Sequence, residues 1–137
     1  MDNDCLFCKI VRGKIPSAKV YEDELVFAFL DINPVAEGHV LIVPKKHFAN
    51  IFEVDEESLS RIAVVAKKIA IAEKNVLHVE NLNLVQSNGK AAQQEVMHFH
   101  LHLWPRSPGD EVKLEYPPKL ELRSKMKETA EKLRSAL

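Results

Sequence analysis

Three histidines alternate with apolar residues late in the chain. His98, His100 and His102 are separated by single residues, and each is followed by an apolar side chain. Successive side chains of a strand face opposite sides, so the three imidazoles are predicted to share one face while the apolar residues anchor the other. Histidine titrates near neutral pH and serves as nucleophile, acid, base or metal ligand. The spacing alone therefore leaves two chemistries open, a metal site and nucleophilic catalysis.

The strand that carries these histidines must be held by other elements. It is predicted to span Val96–Leu103 and to stop at Pro105. The other predicted strands are Lys19–Glu22, Val26–Leu30, Val40–Val43 and Leu82–Val85. Apolar residues at helical spacing predict a long helix from Asp55, its N-cap, to about Asn75. A terminal helix is predicted from an apolar stripe formed by Leu122, Met126, Ala130, Leu133 and Leu137. Strands outnumber helices without a regular βαβ alternation, which indicates an α+β fold with a mostly antiparallel sheet.

Composition excludes several classes of partner. The chain has 137 residues, which suits one compact domain, and its net charge is −1. Such a balance gives no electrostatic footprint for nucleic acid or for an anionic membrane, and no apolar run approaches the roughly 20 residues of a membrane span. Met1–Cys5 lacks the apolar core of a signal peptide, so we expect a cytoplasmic protein. Disulfides are rare in that compartment, and Cys5 and Cys8 need another explanation.

The run HFHLHLWPR, from His98 to Arg106, resembles the signature of the histidine-triad (HIT) family of nucleotide hydrolases and transferases. Further segments resemble the HINT-like branch of that family, namely Cys8–Gly13, Ile15–Ser17, Val20–Asp23, Phe29–Asp31 and Gly38–His47. The resemblance implies a five-stranded antiparallel sheet flanked by helices, in a homodimer with a two-fold axis. It also implies a single HIT domain over residues 1–137, with a core of about 5–106 and a C-terminal extension, 107–137, that contains a helix.

The resemblance further implies chemistry at the α-phosphate of a purine nucleotide. By position in the motif, His100 is the expected nucleophile, which forms a nucleotidyl-histidine intermediate. His102 and His39 are expected to line the same phosphate site. A neutral imidazole can attack phosphorus if its other nitrogen donates to a fixed acceptor, because that bond sets the tautomer. The covalent step divides one displacement into two.

The nucleoside is expected to occupy a separate part of the site. Asp31 matches the family position that holds the ribose hydroxyls, a role for which an acceptor-only carboxylate is suited. The apolar slot for the base would be formed by Phe7, Ile10, Phe29 and Ile32. From composition alone, these four residues are equally compatible with a plain core role, and Asp31 with a turn cap. A hydrophobic slot discriminates weakly between bases.

One segment departs from the family pattern. Gln94 occupies the position of the Gln in a usual Gly-Gln-Ser/Thr sequence, near the leaving-group atoms, but Gln93 replaces the Gly and Glu95 replaces the hydroxyl residue. A carboxylate repels phosphate at short range. Either Glu95 turns away, or the leaving-group preference differs from the family norm. Asn88, in the turn signal Ser87–Gly89, is a candidate phosphate ligand, although a turn role fits equally well.

The two cysteines form a second constellation. Cys5-x-x-Cys8 alone is a weak signal, and a redox pair usually accompanies a βαβ pattern, which is not predicted here. A closed structural zinc site needs four ligands. Some HINT-like proteins bind zinc at the positions of Cys5, Cys8, His47 and His98, so the resemblance implies a structural zinc that ties the N-terminus to the histidine strand. His98 would then belong to the metal, and the other two triad histidines would remain for chemistry.

Several functions are compatible with these residues. The HINT-like motifs favour hydrolysis of a nucleoside phosphoramidate such as adenosine 5′-phosphoramidate. Hydrolysis of diadenosine polyphosphates stays open. A zinc-dependent metallohydrolase that activates water and a non-catalytic nucleotide-binding regulator are further alternatives. Chelation separates the covalent route from the metal route, because only the second needs a metal in the reaction step.

Overall fold

The computed structural model describes residues 4–137, so the first three residues of the Met1–Cys5 segment lie outside the described residues. The α-helices are α1 (Leu6–Val11), α2 (Glu56–Val76) and α3 (Met126–Ala136), with short 3₁₀ segments at Lys90–Ala92 and Leu120–Lys125. The strands are β1 (Lys19–Glu22), β2 (Val26–Leu30), β3 (Val40–Pro44), β4 (Asn81–Val85) and β5 (Leu101–Arg106). Among the described residues, no helix combines the length and hydropathy that a membrane crossing requires.

All five strands form one antiparallel sheet in the order β1-β2-β3-β5-β4. This architecture confirms the predicted α+β class and the predicted number of strands. The bounds of β1 and β2 match the prediction, and β3 extends one residue further, to Pro44. The central strands β2 and β3 are almost wholly apolar, and they are buried on both faces. Burial on both faces explains why their sequences are continuous apolar runs rather than alternating ones.

The predicted histidine strand, Val96–Leu103, is correct only over its last three residues, 101–103. The segment 96–100 is not part of the sheet, and β5 begins at Leu101. The Phe99 N–H donates to the Phe48 carbonyl oxygen (2.7 Å) rather than to a neighbouring strand. The strand also continues through Pro105, contrary to the predicted stop. Pro105 lies beyond the last pair with β3, Val40–Leu103, where one side of β5 has no strand neighbour and a missing N–H is tolerated.

The long helix α2 covers one face of the sheet. The Asp55 side chain accepts from the Ser58 N–H (2.8 Å), which confirms the predicted N-cap. The helix packs on alternate residues of β2 and β3, and the shared core contains Val26, Ala28, Val40, Ile42, Ile62, Val65, Ala66 and Ile69. Ala63 is apolar and lies next to the buried Ile62, but it is exposed, whereas Val65 is buried against the sheet.

The short helix α1 packs on the opposite face. The other alternate residues of β2 and β3 point there, and the second core contains Phe7, Cys8, Ile10, Phe27, Phe29, Leu41 and Val43. α1 has only six residues, and a cavity lies beside it on this face. The chemistry-bearing residues collect on this side of the sheet, whereas α2 supports it from behind.

The predicted C-terminal helix is present as α3, but it buries no residue in this protomer. Met126 and Leu133 of the predicted stripe are both 62% exposed. The apolar residues of α3 thus form an exposed apolar surface in this structure.

Candidate active site

A cavity of about 1050 Å³ opens on the α1 side of the sheet. Its floor is a row of strand partners, in which Phe29 pairs with Leu41, Leu41 with His102 and His102 with Val85. Residues directly opposite each other in antiparallel strands share a face, so this row runs across four strands beneath the cavity. The wall includes Phe7, Ile10, Asp31, Ile32, Ser87, Gln93, Glu95, His100, Trp104 and Leu114.

His100 stands in this cavity with a fixed orientation. Its Nδ1 lies 2.7 Å from the His98 carbonyl oxygen, to which it donates. The side chain is 5% exposed, and the edge-to-face contact with the Phe7 ring (5.1 Å between centroids) restrains it. Burial lowers the pKa of His100, against smaller raising effects from the His98 carbonyl, Asp31 and Glu95. The imidazole is therefore neutral near pH 7, with a free lone pair on Nε2.

His102 is held by His39. His39 Nε2 lies 2.9 Å from His102 Nδ1, and the His39 Nδ1 accepts from the Val35 N–H (3.1 Å). The Trp104 indole nitrogen lies 3.1 Å from the same His39 Nε2. Burial lowers the pKa of His102 to about 4 and also lowers that of His39. His39 is almost completely buried and does not line the cavity, and its contact with the cavity is through His102.

Asp31 directly follows β2 and lines the cavity. One carboxylate oxygen accepts from the Asn33 N–H (2.8 Å), which forms a local turn. The other lies 3.4 Å from His39 Nε2 and 4.0 Å from His102 Nδ1. One carboxylate oxygen of Asp31 therefore stabilises the turn and the other lies near the two histidines, while the side chain still lines the cavity.

The four residues predicted for the base slot are all brought to the cavity. Phe7 and Ile10 come from α1, Phe29 comes from β2, and all three are buried. Ile32 is 90% exposed and forms the rim. Phe7 and Phe29 make an edge-to-face contact with their centroids 5.5 Å apart. The slot therefore has an ordered aromatic wall and an open apolar edge.

Besides His39, which was expected to line the phosphate site, Gln94 and Asn88 are not brought to the cavity wall. The Gln94 amide is 5% exposed, accepts from the Gly89 N–H (2.8 Å) and donates to the Ala49 and Val96 carbonyl oxygens. The Asn88 Oδ1 accepts from the Ile51 N–H (2.7 Å), and its amide is also bonded to Gln86. Both side chains brace the loop between β4 and β5. Their neighbours Ser87, Gln93 and Glu95 line the cavity in their place.

The predicted metal ligands form a separate cluster. The His98 Nδ1 lies 3.3 Å from the Cys5 Sγ and 3.5 Å from the Cys8 Sγ, and the His47 Nδ1 lies 3.5 Å from the Cys8 Sγ. One ligand atom from each of the four residues lies within 4.8 Å of all the others. Sulfur and nitrogen ligands at tetrahedral angles around zinc are about 3.6 Å apart, given bond lengths of ~2.3 and ~2.0 Å. The four residues thus form a possible metal-binding site.

The protonation of His98 agrees with a ligand role. Its Nε2 lies 2.8 Å from the Pro44 carbonyl oxygen and donates to it, which leaves the Nδ1 lone pair facing the two thiols. Burial lowers the pKa of His98 to about 4. A ligating histidine typically donates its other ring N–H to a carbonyl in this way. None of the four cluster residues lines the cavity.

Some cavity residues were not anticipated from the sequence. Val85 and Leu41 belong to the floor row, and their role follows from strand register, which the sequence does not give. Leu114 reaches the wall from the segment after β5, whose path carries no periodic signal. Trp104 lies two residues after His102, and this position beside the histidine motif is the signal that could have placed it in the cavity wall.

Comparison with known proteins agrees with this geometry. The family model described as "HIT domain" matches residues 12–109. The chain is 47% identical to "Protein hit" of Bacillus subtilis over 103 residues, which cover 75% of this chain and 71% of that protein. It is 45% identical to "Adenosine 5'-monophosphoramidase HNT1" of Saccharomyces cerevisiae over 106 residues, which cover 77% of this chain and 65% of that protein.

Solved structures give the same result. A HIT family protein from Bacillus anthracis superposes with a TM-score of 0.93 and 38% identity, over 100% of this chain and 99% of that one. A histidine triad family protein from Mycobacterium smegmatis, described as Zn-bound, superposes with a TM-score of 0.76 and 37% identity, over 98% of each chain. The family model, the sequence identities and the superpositions agree, and the chain belongs to the HIT family.

Proposed function

We propose that this HIT-family enzyme hydrolyses nucleoside phosphoramidates, such as adenosine 5′-phosphoramidate, at the α-phosphate through a nucleotidyl-His100 intermediate. The observation that carries the proposal is the bond between His100 Nδ1 and the His98 carbonyl oxygen (2.7 Å). That bond places the proton on Nδ1 and the lone pair on Nε2, in a cavity large enough for a mononucleotide. The similarity to the yeast monophosphoramidase supports the same reaction class.

The reaction proceeds in two displacements. His100 Nε2 forms a bond to phosphorus, the bond from phosphorus to the leaving amine breaks, and the amine nitrogen takes up a proton. Water then forms a bond to phosphorus, loses a proton, and displaces His100 to release the nucleoside monophosphate. His102, held by His39, is placed to donate to the phosphoryl oxygens, whose negative charge is stabilised by positioned donors.

The nucleoside moiety fits the β2 end of the cavity. Phe7, Ile10 and Phe29 form an apolar slot for a purine, with Ile32 at its rim. Asp31 has a carboxylate oxygen available to accept from ribose hydroxyls. Because the slot is apolar, we propose that it accepts both purines with little discrimination.

We further propose that the cluster of Cys5, Cys8, His47 and His98 holds a structural zinc. Neither cysteine is in a disulfide, the donor set is the one zinc prefers, and a similar solved structure is described as Zn-bound. Bound zinc would supply only cross-linking, between α1, the end of β3 and the segment before β5. The cluster lies outside the cavity wall, which argues against a zinc-dependent metallohydrolase. The absence of a disulfide between Cys5 and Cys8 also agrees with the expected cytoplasmic location.

A homodimer is the final part of the proposal. The stripe of α3 is exposed in the protomer, and a second copy would cover it without a further partner. Residues 107–137 would then serve as an extension of the single HIT domain that also forms part of the cavity wall through Leu114. Sedimentation equilibrium tests this point directly, and a monomer at micromolar concentration would contradict it.

Trapping of the intermediate tests the proposed reaction. The enzyme is mixed with adenosine 5′-phosphoramidate labelled at phosphorus, quenched within milliseconds and digested. We expect an acid-labile adduct that fragmentation assigns to His100, and a loss of about 10³-fold or more in kcat for His100→Ala. His78→Ala is the matched control, because His78 is exposed and does not line the cavity. Turnover without an adduct, or an adduct that survives in His100→Ala, would refute the covalent route. Binding without turnover would favour the regulator.

A further inference from the structure

The cavity is unusual for a site that binds phosphate, because its wall carries no permanent positive charge. Among the described residues that line it, none is Lys or Arg, whereas Asp31 and Glu95 are both carboxylates. A cation that balances these two carboxylates is therefore not supplied by a Lys or Arg of the wall, and the substrate is where we look for one.

The sheet register divides the cavity into two ends. The base slot lies over Phe29 of β2, and the histidines lie over β5, two strands further along the row. A nucleoside seated over β2 leaves the β4 end, over Val85, for the group that departs from phosphorus. In an in-line displacement the leaving group lies opposite the attacking nitrogen and is attached to phosphorus at a different position from the nucleoside, so the two need separate parts of the cavity. The wall at that end comes from the loop between β4 and β5, with Ser87, Gln93 and Glu95.

Glu95 is the charged member of that loop wall. Its side chain is exposed, and no hydrogen bond or ion pair joins it to another described residue. Asp31 differs, because the Asn33 N–H and the histidines already engage its carboxylate. Glu95 and His100 line the same cavity, so the carboxylate borders the space in which a substrate would meet His100. The carboxylate is therefore free to meet a group on the substrate.

We propose that Glu95 makes the leaving-group end of the cavity selective for amines that carry a second, positively charged group. The inference rests on the proposed function and specifies its substrate class as nucleoside phosphoramidates of diamines or similar cationic amines. An ammonium group on the departing amine pairs with Glu95 while the P–N bond stays at the histidines. A departing polyphosphate would instead place several negative charges beside an unscreened carboxylate, which disfavours diadenosine polyphosphates.

Two isosteric substrates test this selectivity. One is the adenosine phosphoramidate of 1,4-diaminobutane, whose free amine is protonated at pH 7, and the other is that of pentylamine, which has a methyl group in the same place. For the wild-type enzyme, we expect kcat/KM to favour the diamine substrate by about fivefold, as for an exposed ion pair, and the preference to shrink in high salt. Glu95→Gln should bring the ratio near one, and Glu95→Lys should invert it and improve relative turnover of diadenosine tetraphosphate.

The control is Glu80→Gln, which removes an exposed carboxylate outside this cavity and should keep the wild-type ratio. Circular dichroism of each variant verifies folding. A wild-type ratio of one, or an unchanged ratio in both Glu95 variants, would overturn the role of Glu95 while the nucleotidyl-histidine chemistry stands. If neither substrate is turned over and no adduct forms, the proposed function itself fails, and this inference fails with it.

Discussion

His98 and His100 are two residues apart, yet their side chains belong to different sites, and the His98 carbonyl group connects the two. The His98 side chain turns its Nδ1 to the Cys5 and Cys8 thiols, while its carbonyl oxygen accepts from His100 Nδ1 at 2.7 Å. The backbone that presents a candidate metal ligand therefore also fixes the tautomer of the proposed nucleophile. A metal at the cluster would stiffen the very segment that orients His100.

Zinc removal is expected to destabilise the protein more than it slows the reaction. A strong chelator should lower the melting temperature of the zinc-loaded enzyme by roughly 5–15 °C, because only the native state holds the four ligands together. At 25 °C, kcat should change far less, since the cluster lies outside the cavity wall. Cys8→Ser should show the same lower melting temperature and no response to chelator. A zinc-loaded enzyme whose melting temperature ignores the chelator would contradict the structural role.

The strands of the sheet show how much of the fold could be predicted from the sequence. The apolar runs of β2 and β3 predicted their strands because burial on both faces leaves little choice of residue type. The prediction for the histidine segment was wrong at its start, because the alternation of residue types indicated a strand from Val96 and the strand begins at Leu101. The bonds that hold 96–100 out of the sheet run to Phe48 and Pro44, about fifty residues away, and no local pattern contains them.

The candidate site residues also fall into two groups, those that local sequence indicates and those whose role depends on distant contacts. His100, His102 and Asp31 were predicted because their chemistry is visible as residue type and motif position. Gln94 and Asn88 carry equally suitable amides, but their hydrogen bonds are to the loop backbone and to Gln86. Whether a polar side chain faces a ligand or braces a loop depends on tertiary contacts, which residue type does not specify.

His39 is predicted to be a positioning residue for His102. Replacement of His39 by Ala removes the 2.9 Å contact that orients His102, so kcat should fall about 10- to 100-fold with little change in KM. His39→Gln keeps an amide donor and should recover part of the loss. Steady-state kinetics on adenosine 5′-phosphoramidate measure the effects on kcat and on KM separately, with His78→Ala as the control variant. A purely structural role would change KM and melting temperature together and would not be rescued by Gln.

Gln93 is predicted to be a strained residue. It has a φ of 66°, in the left-handed region, where a non-glycine side chain costs about 1–2 kcal/mol. Gln93→Gly removes this cost but adds up to about 1 kcal/mol of backbone entropy in the unfolded chain, so we expect a net gain of roughly 0.5–1 kcal/mol. Gln93→Ala loses the same side chain, keeps the Cβ atom and should gain nothing. Urea denaturation of the three proteins measures the difference, and a Gly variant less stable than the Ala variant would exclude strain.

Glu73 lies on the buried face of α2, where an unpaired carboxylate lowers the stability of the native state. Its side chain is 4% exposed, and neither carboxylate oxygen has a hydrogen-bond partner among the described residues. It lies against the loop before β3, where a Cβ added to Gly38 would come within 3.3 Å of its Oε1 and 3.0 Å of Leu77. Loss of water around the charged form raises the pKa of Glu73 to about 7.

This shift makes stability depend on pH in a stated direction. Between the unfolded pKa near 4.5 and the native value near 7, the native state holds one more proton than the unfolded state, so the free energy of unfolding falls as pH rises and levels off above pH 7. Glu73→Gln cannot ionise, and its stability relative to wild type should therefore increase from pH 5 to pH 8, by up to about 3 kcal/mol. Urea titrations of both proteins at several pH values measure this difference, with the exposed Glu80→Gln as control. A constant difference between pH 5 and pH 8 would show that Glu73 ionises in the native state as it does in the unfolded chain.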